Sequence, residues 1–326
     1  MRRLAISRQA FLSLAVLLLA ALPAACGAAG GSAAPAAVTV TAAAPTTTSY
    51  PLTITDGLGR RVTIDHRPQR IVSYLPSNTE TLYAIGAGDR IVATDSYSNY
   101  PPEVQSKPKL GGIQVNLEAL IALQPDLVVS TGARPDFPTL LEPYHIPVVM
   151  LAYTDVEGTL TNILLLGKIV GQPAEAGRLV DQMRRHLAAV QEKVRSAKKV
   201  RVYYEVDGTD PSKPYTAGPG SFINDLITMA GGENIAAGAT GQFPQISAEE
   251  IVRANPEVIV VPTGSFSPPD ITDVAHFAQR PGWDGIEAVK RGAIRGIDAD
   301  IISRPGPRLV DALDALAKAL HPELFS

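Results

Sequence analysis

Asn116-Leu-Glu-Ala-Leu-Ile-Ala-Leu-Gln-Pro-Asp-Leu-Val-Val129 returns 131 residues later as Ser247-Ala-Glu-Glu-Ile-Val-Arg-Ala-Asn-Pro-Glu-Val-Ile-Val260. In both stretches a capping side chain opens a short helix, a Pro-acid pair follows, and a β-branched run reads as a buried strand. Each unit continues through a second helix into a closing strand, ending at His145-Ile-Pro-Val-Val-Met-Leu151 and Gly292-Ala-Ile-Arg-Gly-Ile297. Alternating helices and strands predict an α/β layer built on a mostly parallel sheet. One such unit repeated in register predicts two similar lobes, each a sheet flanked by helices.

Working outward, Leu52 to Ile64 reads as a hairpin around a Gly-containing turn, Arg70 to Tyr74 as a buried strand and Ser77 to Ala84 as the first helix. The N-terminal lobe is assigned to residues 51–173. From Val156 to Lys199 the pattern is helical, broken at Gly171-Gln-Pro173. Its second part, residues 174–198, is assigned as a linker helix. Ala176, Leu179, Val180, Met183, Leu187, Val190 and Val194 fall near helical spacing, with charge on the other side. About 24 residues at ~1.5 Å each make a rod of about 36 Å. A stiff rod permits only small closure of the lobes. The C-terminal lobe takes residues 199–326, and the ligand cleft is expected between the lobes.

Upstream, residues 1–25 read as an export signal. Arg2, Arg3 and Arg8 precede a short apolar run, Phe11 to Leu22, and small residues lead to Cys26. Leu22-Pro-Ala-Ala-Cys26 resembles a bacterial lipobox, with Pro23 standing where an aliphatic residue is usual; the resemblance implies that Cys26 carries a lipid anchor. Residues 26–50 are almost only small and polar, the composition of a flexible tether. The folded body is therefore expected at the outer face of a bacterial cell membrane, in a periplasm or at the cell surface.

Apolar residues are 45% and charged residues 19%, enough to build a full core. A formal charge of -3 argues against a nucleic-acid binder, which needs a basic stripe to displace counterions from phosphates. The single cysteine excludes a disulfide framework. The five histidines are scattered without metal-ligand spacing, so no metal site and no cofactor are expected. His276 could serve a haem as axial ligand, but nothing near it strengthens that reading. Gly86-Ala-Gly88 is not a dinucleotide fingerprint, and Gly218-Pro-Gly-Ser221 lacks the second flanking glycine of a nucleophile turn. An enzyme is thus disfavoured; one acting on an exported small molecule is kept as the alternative from another class.

Ser73-Tyr-Leu-Pro-Ser-Asn-Thr-Glu80, Thr94-Asp-Ser-Tyr-Ser-Asn-Tyr-Pro-Pro102, Asn116-Leu-Glu118 and Gly231-Gly-Glu-Asn-Ile235 form an ordered series. Together they resemble the helical-backbone (class III) substrate-binding proteins of ABC importers for iron–siderophores, haem and vitamin B12, most of all the cobalamin-binding members. The resemblance implies a corrinoid in the cleft, with an iron–siderophore or haem as the second choice. It implies ligand contacts from Tyr97, Tyr215, Phe243, Asp300 and Arg304. Tyr100 joins them because it flanks the same Pro-terminated loop. Gly112 and Thr131 stand where the cobalamin binders have tryptophans, which implies a wider or differently lined pocket. Glu118 and Glu249 sit in first helical turns, where the helix dipole favours an acid by roughly 0.3–1 kcal/mol. The resemblance implies more: a docking pair that meets basic pockets on a permease dimer, which works with its ATPase subunits. Glu250 completes a capping box with Ser247 instead. The body is expected to be monomeric.

Overall fold

The computed structural model describes residues 47–132, 134–264 and 267–325. The export signal, Cys26 and nearly all of the assigned tether lie outside the described residues. The tether's last residue does not: Tyr50 is half-buried, and its hydroxyl donates to the Ile169 carbonyl at 2.7 Å. The packed body therefore begins earlier than composition alone implied.

A hairpin of β1 (Leu52–Thr55) and β2 (Arg61–Ile64) opens the body. Four parallel strands follow: β3 (Ile71–Ser73), β4 (Ile91–Thr94), β5 (Leu127–Thr131) and β6 (Val148–Leu151), in spatial order β4-β3-β5-β6. The second sheet contains β7 (Val200–Asp207), β8 (Tyr215–Thr216), β9 (Gly232–Asn234), β10 (Val258–Thr263) and β11 (Ile294–Asp298). Its parallel strands run β9-β7-β10-β11, and β8 pairs antiparallel to the end of β7. The two orders are the same order. Two similar α/β lobes with separate, mostly parallel sheets are what the repeat predicted.

The repeated motif has a local cause in each lobe. Asn116 accepts the Ala119 N–H at 3.0 Å, and Ser247 accepts that of Glu250 at 3.2 Å in a full capping box. The acid after each proline then ties its unit to the lobe's first strand. Asp126 accepts the backbone N–H groups of Gln69 and Arg70 at 2.7 and 2.8 Å, and Glu257 accepts that of Arg201 at 3.2 Å. The motif is thus a cap at one end and a strand clamp at the other.

The linker helix spans Pro173–Val194, one residue earlier at its start and four shorter at its end than assigned, about 33 Å at ~1.5 Å per residue. It is preceded by the helix Val156–Ile169 and the predicted break. Ala176, Val180, Met183, Leu187, Val190 and Val194 are buried, and Leu179 is half-buried. This stripe belongs to one continuous apolar cluster that holds Val129 and Leu151 of the first lobe as well as Val202 and Val260 of the second. Val72, Val128, Val148 and Met150 pack on the other face of the first sheet in a smaller cluster with Leu120 and Phe137. Sheets covered on both faces explain the unbroken apolar strand sequences. Among the described residues, no helix is long and apolar enough to cross a membrane.

A candidate ligand site at the strand ends

The shared strand order fixes where a ligand can sit. In each lobe the chain leaves the first strand toward one side, then returns to its other side. Parallel sheets open a crevice at such a reversal, outside the carboxyl ends of the strands. In the first lobe that point lies beyond β3 and β5, where a cavity of about 170 Å³ is lined by Tyr74, Tyr97, Gly112, Ser130, Thr131 and Arg134, among others. In the second it lies beyond β7 and β10, where Glu205, Asp207, Val261, Pro262 and His276 line a cavity of about 470 Å³.

Asp95 builds the loop that carries Tyr97 and Tyr100. Its buried carboxylate accepts the N–H groups of Tyr97 (2.7 Å), Ser98 (3.1 Å) and Leu75 (3.1 Å), and the Ser98 hydroxyl at 2.6 Å. Lys109 closes the underside, donating to the Ser98 carbonyl at 2.6 Å; burial pulls its ammonium below the ordinary lysine range, partly offset by Asp95. With its backbone held at both ends of the turn, Tyr97 stays 43% exposed at the cleft rim. Its ring rests on Gly112, where an added Cβ would lie 2.7 Å from Tyr97 Oη. The tryptophan expected by resemblance at this position is incompatible with this placement of Tyr97.

Asp300 and Arg304 reach the same loop from the other lobe. Arg304 donates to Glu80 Oε1 (3.1 Å) and Asn99 Oδ1 (2.7 Å), and is also paired with Asp300. Asn99 in turn donates to Asp300 at 2.6 Å. Arg308 grips Glu80 with two bonds, at 2.8 and 2.7 Å, and lies 4.2 Å over the ring of Tyr100. The hydrogen bonds to Glu80 hold the Arg308 guanidinium above the usual arginine range. The residue pair expected to meet a ligand is therefore also a latch between the lobes. Glu80 and Arg308, its buried centre, stood inside the quoted motifs without a role. Their one sequence signal was a charge in an otherwise uncharged helical turn, Thr79-Glu80-Thr81-Leu82.

Tyr215, on β8, and Phe243 form a second aromatic group, 43% and 44% exposed. The loop bearing Phe243 is tied to β8 by a bridge between Tyr215 and Gln245 and by the Thr216 N–H, which donates to the Pro244 carbonyl at 2.9 Å. Behind them Glu205 and Arg280 form a buried pair, with bonds of 2.5 and 2.9 Å, that sequence reading missed. Arg280 also approaches His276 Nε2 at 3.2 Å, so the histidine considered for haem already has a partner. Glu118 and Glu249 are both exposed in first helical turns, and among the described residues neither forms an ion pair. Among the described residues no group of three or more His, Cys, Asp or Glu side chains could hold a metal.

The sequence profile of the family described as "Periplasmic binding protein" matches residues 71–301. Over 289 residues the chain is 35% identical to an uncharacterized ABC transporter substrate-binding lipoprotein of Bacillus subtilis, covering 86% of this chain and 88% of the relative. It is 32% identical over 284 residues to a cobalamin-binding protein of Halobacterium salinarum, covering 84% and 75%. Among solved structures, a periplasmic vitamin B12 binding protein of Vibrio cholerae superposes with TM-score 0.66 at 25% identity, covering 78% of this chain and 98% of that one. A periplasmic heme-binding protein from Roseiflexus gives 0.70 at 26%, covering 78% and 99%. A protein of an Fe3+-hydroxamate transport system from Saccharomonospora viridis gives 0.69 at 25%, covering 83% and 99%. Substrate capture for transport, not catalysis, is the work of this family. With its two matched sheets and strand-end crevices, the chain belongs to the periplasmic binding proteins, the extracytoplasmic substrate receptors of ABC importers.

Proposed function

We propose that this receptor captures a corrinoid between its lobes and delivers it to a permease dimer served by ATPase subunits. The observation that carries the reading is the set of four rings left 43–44% exposed on loops at the strand ends: Tyr97, Tyr100, Tyr215 and Phe243. A large, partly apolar plate covers such rings favourably, while Asn99, Asp300 and Arg304 offer polar groups to its rim. The relatives named for cobalamin and vitamin B12 support the same ligand class. No covalent step and no cofactor are involved; the corrinoid is cargo. Glu118 and Glu249, at equivalent positions in the two lobes, are the docking acids of this proposal. Lipidation of Cys26, outside the described residues, would hold the monomeric body at the membrane.

A ferric hydroxamate or haem is the second reading, favoured by the neighbours with those names. Calorimetric titration with cyanocobalamin, cobinamide, haemin and a ferric hydroxamate decides between them. Saturable binding of the two corrinoids and none of the iron chelates is expected; the reverse order of affinity would refute the corrinoid assignment.

A further inference from the structure

We propose that the first-lobe cavity is a subsite for an uncharged amide arm of the ligand, and that it selects amide-rimmed over carboxylate-rimmed cargo. The inference rests on the reading of the chain as a receptor for a broad chelate, and it concerns that same cleft. Two glycine and threonine positions make the space. Gly112 lets the ring of Tyr97 lie across the backbone, and Thr131 at the end of β5 leaves the neighbouring wall short. The resulting volume of about 170 Å³ equals that of about five or six water molecules. A propionamide arm has five heavy atoms.

The wall is chemically selective. Ser130 is fully buried at the cavity, and its hydroxyl has no hydrogen-bond partner among the described residues. An unpaired buried hydroxyl is costly, and an arm that can accept from it or donate to it relieves that cost. The charged groups around it are already committed. Arg134 holds Asp136 with two bonds, at 3.0 and 2.7 Å, and donates to the Ile113 carbonyl at 2.8 Å. Asp95, also lining the cavity, accepts four hydrogen bonds from its own loop. Two fixed carboxylates against one guanidinium leave the pocket without a cation to offer. A neutral amide enters without an uncompensated charge; a carboxylate arm meets like charge in a partly buried space.

The test uses two matched ligand pairs and calorimetry on the folded receptor: cyanocobalamin against its monocarboxylic acid isomers, and haemin against its bis-amide. In whichever pair binds, the amide form is expected to be tighter, by at least tenfold for one cobalamin acid isomer or for the haem pair. Ser130→Ala should weaken the amide ligand about three- to tenfold. Thr131→Trp, which fills the space, should erase the amide preference with the melting temperature unchanged. Equal affinity of acid and amide, or preference for the acid, overturns the subsite while leaving the receptor reading intact. Binding of the haem pair alone overturns the corrinoid reading but leaves the amide preference measurable. Failure of both pairs to bind overturns both.

Discussion

Replacing Glu80 by glutamine removes the charge at the centre of the inter-lobe latch without changing its shape. Its carboxylate is 2% exposed and faces Arg304 and Arg308, themselves 11% and 18% exposed. Arg304 keeps Asp300, but Arg308 loses both of its charge-assisted bonds to Glu80. Breaking one side of a buried ion pair leaves an uncompensated charge and costs about 3–5 kcal/mol. For a body of this size that corresponds to a fall of roughly 10 °C in Tm. Thermal unfolding monitored by circular dichroism measures it directly. The companion variant Glu80→Met/Arg304→Met/Arg308→Met removes every charge together and should recover most of the loss, because a buried pair gains little over an apolar replacement. A Glu80→Gln fall below about 3 °C, or a triple variant as unstable as the single one, would refute the assignment of Glu80 as the buried centre of the latch.

Tyr97→Ala should weaken the bound corrinoid about 30-fold with little change in Tm. Covering the exposed part of a ring this size, roughly 90 Å², contributes about 2 kcal/mol, and titration calorimetry reads it. Charge reversal of both Glu118 and Glu249 should abolish uptake by cells and leave ligand affinity unchanged; normal uptake would remove their docking role. The Arg134 hydrogen bonds hold Asp136 below the usual carboxylate range. That depressed value contributes stability present above the unfolded pKa of about 3.9 and lost as pH falls through the lower folded value. Hydrogen exchange in the segment after β5 should therefore be constant from pH 7 to about 5 and rise below pH 4, with Asp136→Asn removing the dependence.

The duplicated architecture was legible because its determinants are local. Asn116 and Ser247 cap helices within three residues of themselves, and the Pro-acid pairs mark where each following strand begins. The linker stripe was legible for the same reason, since helical spacing needs only a window of sequence. The latch was not. Glu80 and Arg308 stand 228 positions apart, and nothing in either neighbourhood encodes the other. Glu205 and Arg280 are similarly remote, at 75 positions. The departures at Gly112 and Thr131 were visible as missing bulk, but only the strand order brings them to one crevice with Ser130.

The clasp at Glu80 and the shared apolar seam beneath it make the vacant and the laden molecule nearly one shape. A transporter that recognises the outer acids then meets the same footprint in both cases. Idle collisions compete with productive ones on equal terms, so excess empty receptor is expected to inhibit import competitively, and flux should follow the laden fraction rather than the total amount of protein.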